Sequence, residues 1–143
     1  LEQDEKAVAL KADVMRKCAV MLHEQDDEMR TAAAAMLMSM CNGTRFPNGE
    51  NACKPEAVKQ GIVKALIPLL DPGVELVKAG EMTEKNSALT VYITKAMASI
   101  ADAPEGRKQL KACLKELEVL AASSEPFVQK HALVAIERIT WKP

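Results

Sequence analysis

The stretch Asp26-Asp27-Glu28-Met29-Arg30-Thr31-Ala32-Ala33-Ala34-Ala35-Met36-Leu37-Met38-Ser39-Met40 decides how the chain folds. It opens on acids of the kind that cap a helix amino end, and no Gly or Pro interrupts it. Met29, Ala33, Met36, Leu37 and Met40 recur in steps of three and four, so they share one helix face, with Met38 off it. The pattern then returns. Val128, Ala132, Leu133, Ala135, Ile136 and Ile139 stand 99 residues after Met29, Ala33, Ala34, Met36, Leu37 and Met40. Leu89, Ile93, Ala96, Met97 and Ile100 occupy the same register, with Leu89 standing 39 residues before Val128. Three helices with one face pattern point to a repeat architecture.

Each of the three follows another amphipathic stretch. Val8 to Leu22 precedes the first, with Leu10, Val14, Cys18 and Met21 or Leu22 on one face. Ile62 to Leu70 precedes the second and is closed by Asp71-Pro72-Gly73; Leu110 to Leu120 precedes the third. Short linking helices are expected from Pro55 to Gly61 and from Pro104 to about Leu110, with Pro in the first turn and Gly at the end of the former. The unit is a short helix, a middle helix and a longer third helix, about 40 residues in all. The 60-residue step from Met29 to Leu89 exceeds that unit. A turn-rich insertion from Asn42 to Asn51 and a spacer from Asp71 to Thr83 absorb the difference. Within the spacer, Val74-Glu75-Leu76-Val77-Lys78 either forms a helical turn or packs down irregularly.

Gln60-Gly61-Ile62-Val63-Lys64-Ala65-Leu66-Ile67-Pro68-Leu69-Leu70 resembles the glycine-then-aliphatic opening of the armadillo middle helix, and the Asp26 to Met40 stretch resembles the armadillo third helix. HEAT repeats share the stacked-helix logic; the glycine and the short first helix favour armadillo. The resemblance covers nearly the whole chain. It implies an all-α, right-handed armadillo/HEAT-like α-solenoid of about three repeats, roughly 4–41, 55–102 and 103–143, with an insertion loop over 42–54. The whole of 1–143 would be one solenoid, the carboxy-terminal part of a longer array. A narrower resemblance lies in Ala103-Pro104-Glu105-Gly106-Arg107-Lys108 together with Ile139-Thr140-Trp141-Lys142-Pro143. These are similar to the last repeats of the armadillo-repeat radial spoke proteins of ciliary axonemes, although the insertion at Asn42 to Asn51 departs from that pattern. This implies a structural role among axonemal or radial spoke subunits, in a cilium or flagellum.

Composition agrees with stacked helices. The chain has 143 residues, 22 of them Ala and 14 Leu, and only 3% are aromatic. Small aliphatic side chains suit closely packed helices better than strands. With 19 basic and 20 acidic residues the formal charge is −1, which gives no broad basic surface for nucleic acid. No run is long and apolar enough for a membrane span, the acidic start is unlike a secretory signal, and an intracellular location is expected. Cys18, Cys41, Cys53 and Cys113 have no short paired spacing and read as buried thiols. Cys41 and Cys53 flank the insertion, where a bridge is the alternative.

No catalytic set, metal site or cofactor cradle emerges. His23 falls where a helix ends, where a cation complements the dipole, and His131 lies one step off buried Ala132. Glu24, Asp26, Asp27 and Glu28 read as dipole compensation rather than general acid–base groups. The chain is therefore expected to be non-catalytic, with protein partners and no small-molecule substrate. In armadillo transport adaptors, Trp and Asn ladders on the third helix clamp basic peptides. The matching positions here are Ala35 and Ser39, Lys95 and Ser99, and Val134 and Arg138, none of them Trp or Asn. Lys95 and Arg138 would repel a basic peptide and suit an acidic or mixed surface. The candidate partner-binding residues are accordingly Lys95, Ser99, Arg138 and Trp141; Trp141 either caps the solenoid end or anchors a partner. A structural scaffold and a soluble adaptor for a linear peptide are both open.

Overall fold

A computed structural model describes residues 13–42 and 53–142. It is all-helical over these residues. The amino-terminal helix α1, described over 13–22, buries Cys18 and Leu22 as expected, but Met15 is buried where Val14 was expected and Val14 is half-buried. The expected parts at Val8 to Leu10 and over 43–51 lie outside the described residues. After a tight turn comes α2 (Asp27–Cys41), whose N-cap Asp26 accepts a hydrogen bond from the Glu28 amide. Then follow α3 (Cys53–Lys59), α4 (Ile62–Leu66), a 3-10 turn (Ile67–Leu70) and α5 (Asp71–Lys78). A second 3-10 turn (Glu84–Asn86) leads into α6 (Ala88–Ile100). Finally α7 (Pro104–Leu110) passes through a 3-10 turn (Lys111–Cys113) into α8 (Leu114–Ala121), and α9 (Pro126–Ile139) closes the chain.

The three long helices form one row. α2 packs on α6 and α6 on α9, while α5 packs on α8 and α3 on α7. Like elements therefore stack on like, which is the defining arrangement of a solenoid-like repeat. The shared register explains the packing. Ala33, Ile93 and Ala132 are all buried at equivalent positions, as are Met40, Ile100 and Ile139. Small residues at the contact allow the axes to approach, and α6, with neighbours on both sides, buries even Thr94 and Ser99. Thr94 satisfies its hydroxyl by donating to the Val91 carbonyl at 2.8 Å.

The sequence pattern misplaces several residues. Met29 and Met36, expected in the core, are 38% and 48% exposed, whereas Met38 is half-buried. Their counterparts Leu89 and Ala96 on α6 are half-buried and buried. The difference is positional: these are positions that a preceding third helix would cover, and α2 stands at the edge of the described row. The mirror case is Leu133, 53% exposed on α9, whose counterparts Ala34 and Thr94 are fully buried. One face pattern thus describes an inner helix well and an edge helix poorly.

Asp71-Pro72-Gly73 does not close the middle helix. These residues form the first turn of α5, and the helical path continues to Lys78. Pro72 sits where a missing N–H costs little, at the step from 3-10 to α geometry. Gly73 lies against α6: a Cβ there would stand 2.3 Å from Thr90 Oγ1. The open reading of 74–78 resolves as helix. Helix α3 likewise starts at Cys53, inside the expected 42–54 loop, and Pro55 sits within its first turn. Gly61 has φ +73°, the left-handed geometry that the Gln60-Gly61 junction requires between α3 and α4. All four cysteines are buried, and no disulfide joins them among the described residues.

Candidate interaction site

Long packing contacts leave α6 a narrow accessible strip. Besides half-buried Leu89, which lies on the packing face, Ala88, Val91, Tyr92 and Lys95 are its exposed or half-buried residues before the last turn and a half, where 96–100 are buried. The equivalent residues on α9 are Phe127, Lys130, His131 and Val134, and on α2 they are Glu28, Thr31, Ala32 and Ala35. The three strips share one register along a row of helices packed side by side. Its α2 end carries Glu28 and small residues; its α6 and α9 end carries two aromatic rings and three basic groups.

The geometry of that basic end is defined. The Lys95 ammonium lies 5.3 Å from the centroid of the Tyr92 ring, one turn away on α6. Phe127 is 53% exposed in the first turn of α9. That turn is fixed by Glu125, whose carboxylate accepts from the Val128 amide at 2.7 Å, while the Glu125 amide donates to Ser123 Oγ at 3.1 Å. Burial and then the charges of Lys95 and Lys130 push the His131 imidazole below its ordinary pKa, against an opposing pull from Glu125. Lys95 of α6 and Lys130 of α9 therefore both bear on the His131 imidazole at the α6–α9 seam.

Of the residues expected from sequence, Lys95 lies on this strip. Arg138 is exposed one turn beyond it. Ser99 is not available: it is 3% exposed, turned into the packing that α6 makes on both sides. Trp141 is exposed but not alone. Its ring faces the Arg107 guanidinium at 5.1 Å, and Arg107 donates through Nη1 to the Ala101 and Asp102 carbonyls at 3.0 and 3.1 Å. The carboxy-terminal aromatic thus leans on the residue that caps the end of α6. Tyr92, Phe127 and Lys130 were not singled out from the sequence. The signal was present in the register, about one to two turns before the positions compared with the transport-adaptor ladder.

A second polar junction holds α3 to the turn after α6. Lys54, itself buried, pairs with Asp102 at 2.8 Å. Next to Lys54 lie the buried thiols of Cys53 and Cys41. Burial first, with Cys53 and Cys18 adding to it, pushes the Cys41 thiol up to about 12; Lys54 opposes the shift. Among the described residues no group of three or more His, Cys, Asp or Glu side chains is arranged to hold a metal ion, and no helix is long and apolar enough to cross a membrane.

No protein-family model matches the chain. Over 87% of its length the chain is similar to the crystal structure of an engineered protein, a Northeast Structural Genomics Consortium target, at 22% identity and a TM-score of 0.41. It spans 62% of that structure's chain.

Proposed function

We propose that the chain is a non-catalytic protein–protein interaction scaffold of the armadillo type, serving as a structural component of the radial spoke of motile cilia or flagella. The observation that carries the scaffold reading is an accessible strip shared in register by α2, α6 and α9. A surface repeated along a stack suits an extended contact with another protein. The axonemal placement is supported by the Ala103 to Lys108 and Ile139 to Pro143 segments, whose Arg107 and Trp141 meet in space. Localising tagged protein in ciliated cells, followed by axoneme fractionation, tests it. Recovery with axonemes is expected, and absence from cilia would remove the axonemal placement.

A soluble adaptor for a linear peptide is the second reading. The concentration of Tyr92, Lys95, Phe127, Lys130 and His131 at one end of the strip favours it. Saturable binding of short acidic peptides by protein recovered outside the axoneme would favour the adaptor over the scaffold.

A further inference from the structure

We infer that the α6–α9 end of the strip binds an acidic segment of a partner protein, with Lys95 and Lys130 taking carboxylates about three residues apart and Phe127 taking an apolar side chain. This rests on the protein-interaction reading and specifies the chemistry of the contact.

Charge sets the sign of the partner. Lys95, Lys130 and His131 gather on adjacent helices, so a basic segment is repelled and an acidic one attracted. Spacing sets its pattern. Stacked helices lie about 8–10 Å apart, Lys130 stands level with Val91, about 6 Å along the axis from Lys95, and an extended chain rises about 3.3 Å per residue, so carboxylates three to four positions apart bridge the two lysines. Apolar exposure sets the third feature. Phe127 stands open in a turn fixed by the Glu125 cap, and an exposed aromatic beside charged groups is the usual composition of an interface anchor. Lys95 is held over Tyr92, so less side-chain freedom is lost when it engages a carboxylate. A nucleic acid fits less well, because the equivalent strip on α2 carries Glu28 at its amino end, with Asp26 and Asp27 close by.

His131 couples the contact to pH. The groups acting on it are Lys95 of α6, Lys130 of α9 itself and Glu125 before α9. A carboxylate arriving between the lysines offsets their charge and favours the imidazolium. Binding therefore takes up a proton and tightens as pH falls through the histidine range, while the ligand carboxylates remain ionised.

The test uses fluorescence anisotropy with a labelled, acetylated and amidated ten-residue peptide. It carries two glutamates three positions apart and one leucine beside them; a matched peptide has lysines for the glutamates. The acidic peptide is expected to bind and the lysine peptide not to. Lys95→Glu and Lys130→Glu should each weaken binding at least about tenfold, Phe127→Ala severalfold, and Arg138→Glu less than about twofold, with helical dichroism unchanged. Lowering pH from 8 to 6 should tighten binding severalfold in the unaltered protein and not in His131→Gln. Equal binding of both peptides, charge reversals without effect, or tighter binding of a single-stranded oligonucleotide would overturn the inference. If the folded charge-reversed variants still fractionate with axonemes as the unaltered protein does, the strip is wrong and the scaffold stands. If the acidic peptide binds as described but the protein stays out of cilia, the strip stands and the axonemal placement falls.

Discussion

The Arg107 guanidinium joins two things at once: it donates to the carbonyls of Ala101 and Asp102 at the end of α6 and lies 5.1 Å from the ring of Trp141. One side chain therefore caps a helix and tethers the segment that follows α9. Trp141→Ala should cost about 0.5–1 kcal/mol, because the ring is more than half exposed. Arg107→Met should cost more, about 1–3 kcal/mol, since it also leaves two carbonyls with fewer donors. A double-mutant cycle in urea checks the coupling; strictly additive losses would show that the ring and the guanidinium do not interact.

Gly106 is a packing requirement. A Cβ there would stand 2.4 Å from the Ile100 carbonyl oxygen, which is backbone and cannot turn aside. Gly106→Ala should lower stability by about 1–3 kcal/mol despite its better helix propensity, and thermal unfolding measures it. A stabilised variant would mean that α7 sits farther from the end of α6.

The Lys54–Asp102 pair is asymmetric, with the lysine buried and the carboxylate partly open to solvent. Asp102→Asn should therefore destabilise more than Lys54→Met. The first leaves a buried ammonium without its counter-charge; the second removes the charge and keeps an apolar stem. The order of the two unfolding midpoints decides.

Thiol chemistry provides a direct probe of the interior. With Cys41 pushed up to about 12 and Cys113 to about 11, both chiefly by burial, almost no thiolate forms at neutral pH. Both should resist a thiol reagent in the native protein and react within the unfolding time in denaturant. Rapid native labelling of Cys41, read by mass spectrometry, would show that the α1–α2–α3 junction opens easily.

His131 gives the pH dependence its sign. Its folded pKa is depressed below 6.5, with burial the first cause, so near and just below that value the unfolded chain binds more protons. Its contribution to stability is present above 6.5 and lost as pH falls through the folded pKa. Urea midpoints should decline over that window in the unaltered protein and decline less in His131→Gln.

The repeat was legible because burial on a stacked helix follows the three-and-four spacing that hydrophobic residues display in sequence. Ala33, Ile93 and Ala132 fell where their pattern put them. Met29, Met36 and Leu133 did not, because a face pattern cannot say whether a neighbouring helix is there to cover it. Asp71-Pro72-Gly73 looked like a stop because each residue locally favours a turn. What overrides that tendency is a contact distant in sequence: α5 lies so close to Thr90 that glycine is the residue that fits. The site was half legible. Lys95, picked from register, lies on the accessible strip, but comparison with the adaptor ladder drew attention to Ser99, which is buried. The strip at Tyr92 and His131 emerges only when burial separates the faces of α6.

The double-sided packing of α6 also sets an order of opening. Among the described residues α2 and α9 each have one long-helix neighbour and α6 has two, and a stacked row loses structure from its rims before its middle. Backbone amides around Ile93 to Met97 should then exchange with deuterium only when the whole row comes apart, while those of α2 and α9 exchange through partial detachment. Load applied along the stack would meet its firmest rung at α6. The face that carries Tyr92 and Lys95 is thus anchored on the segment that yields last.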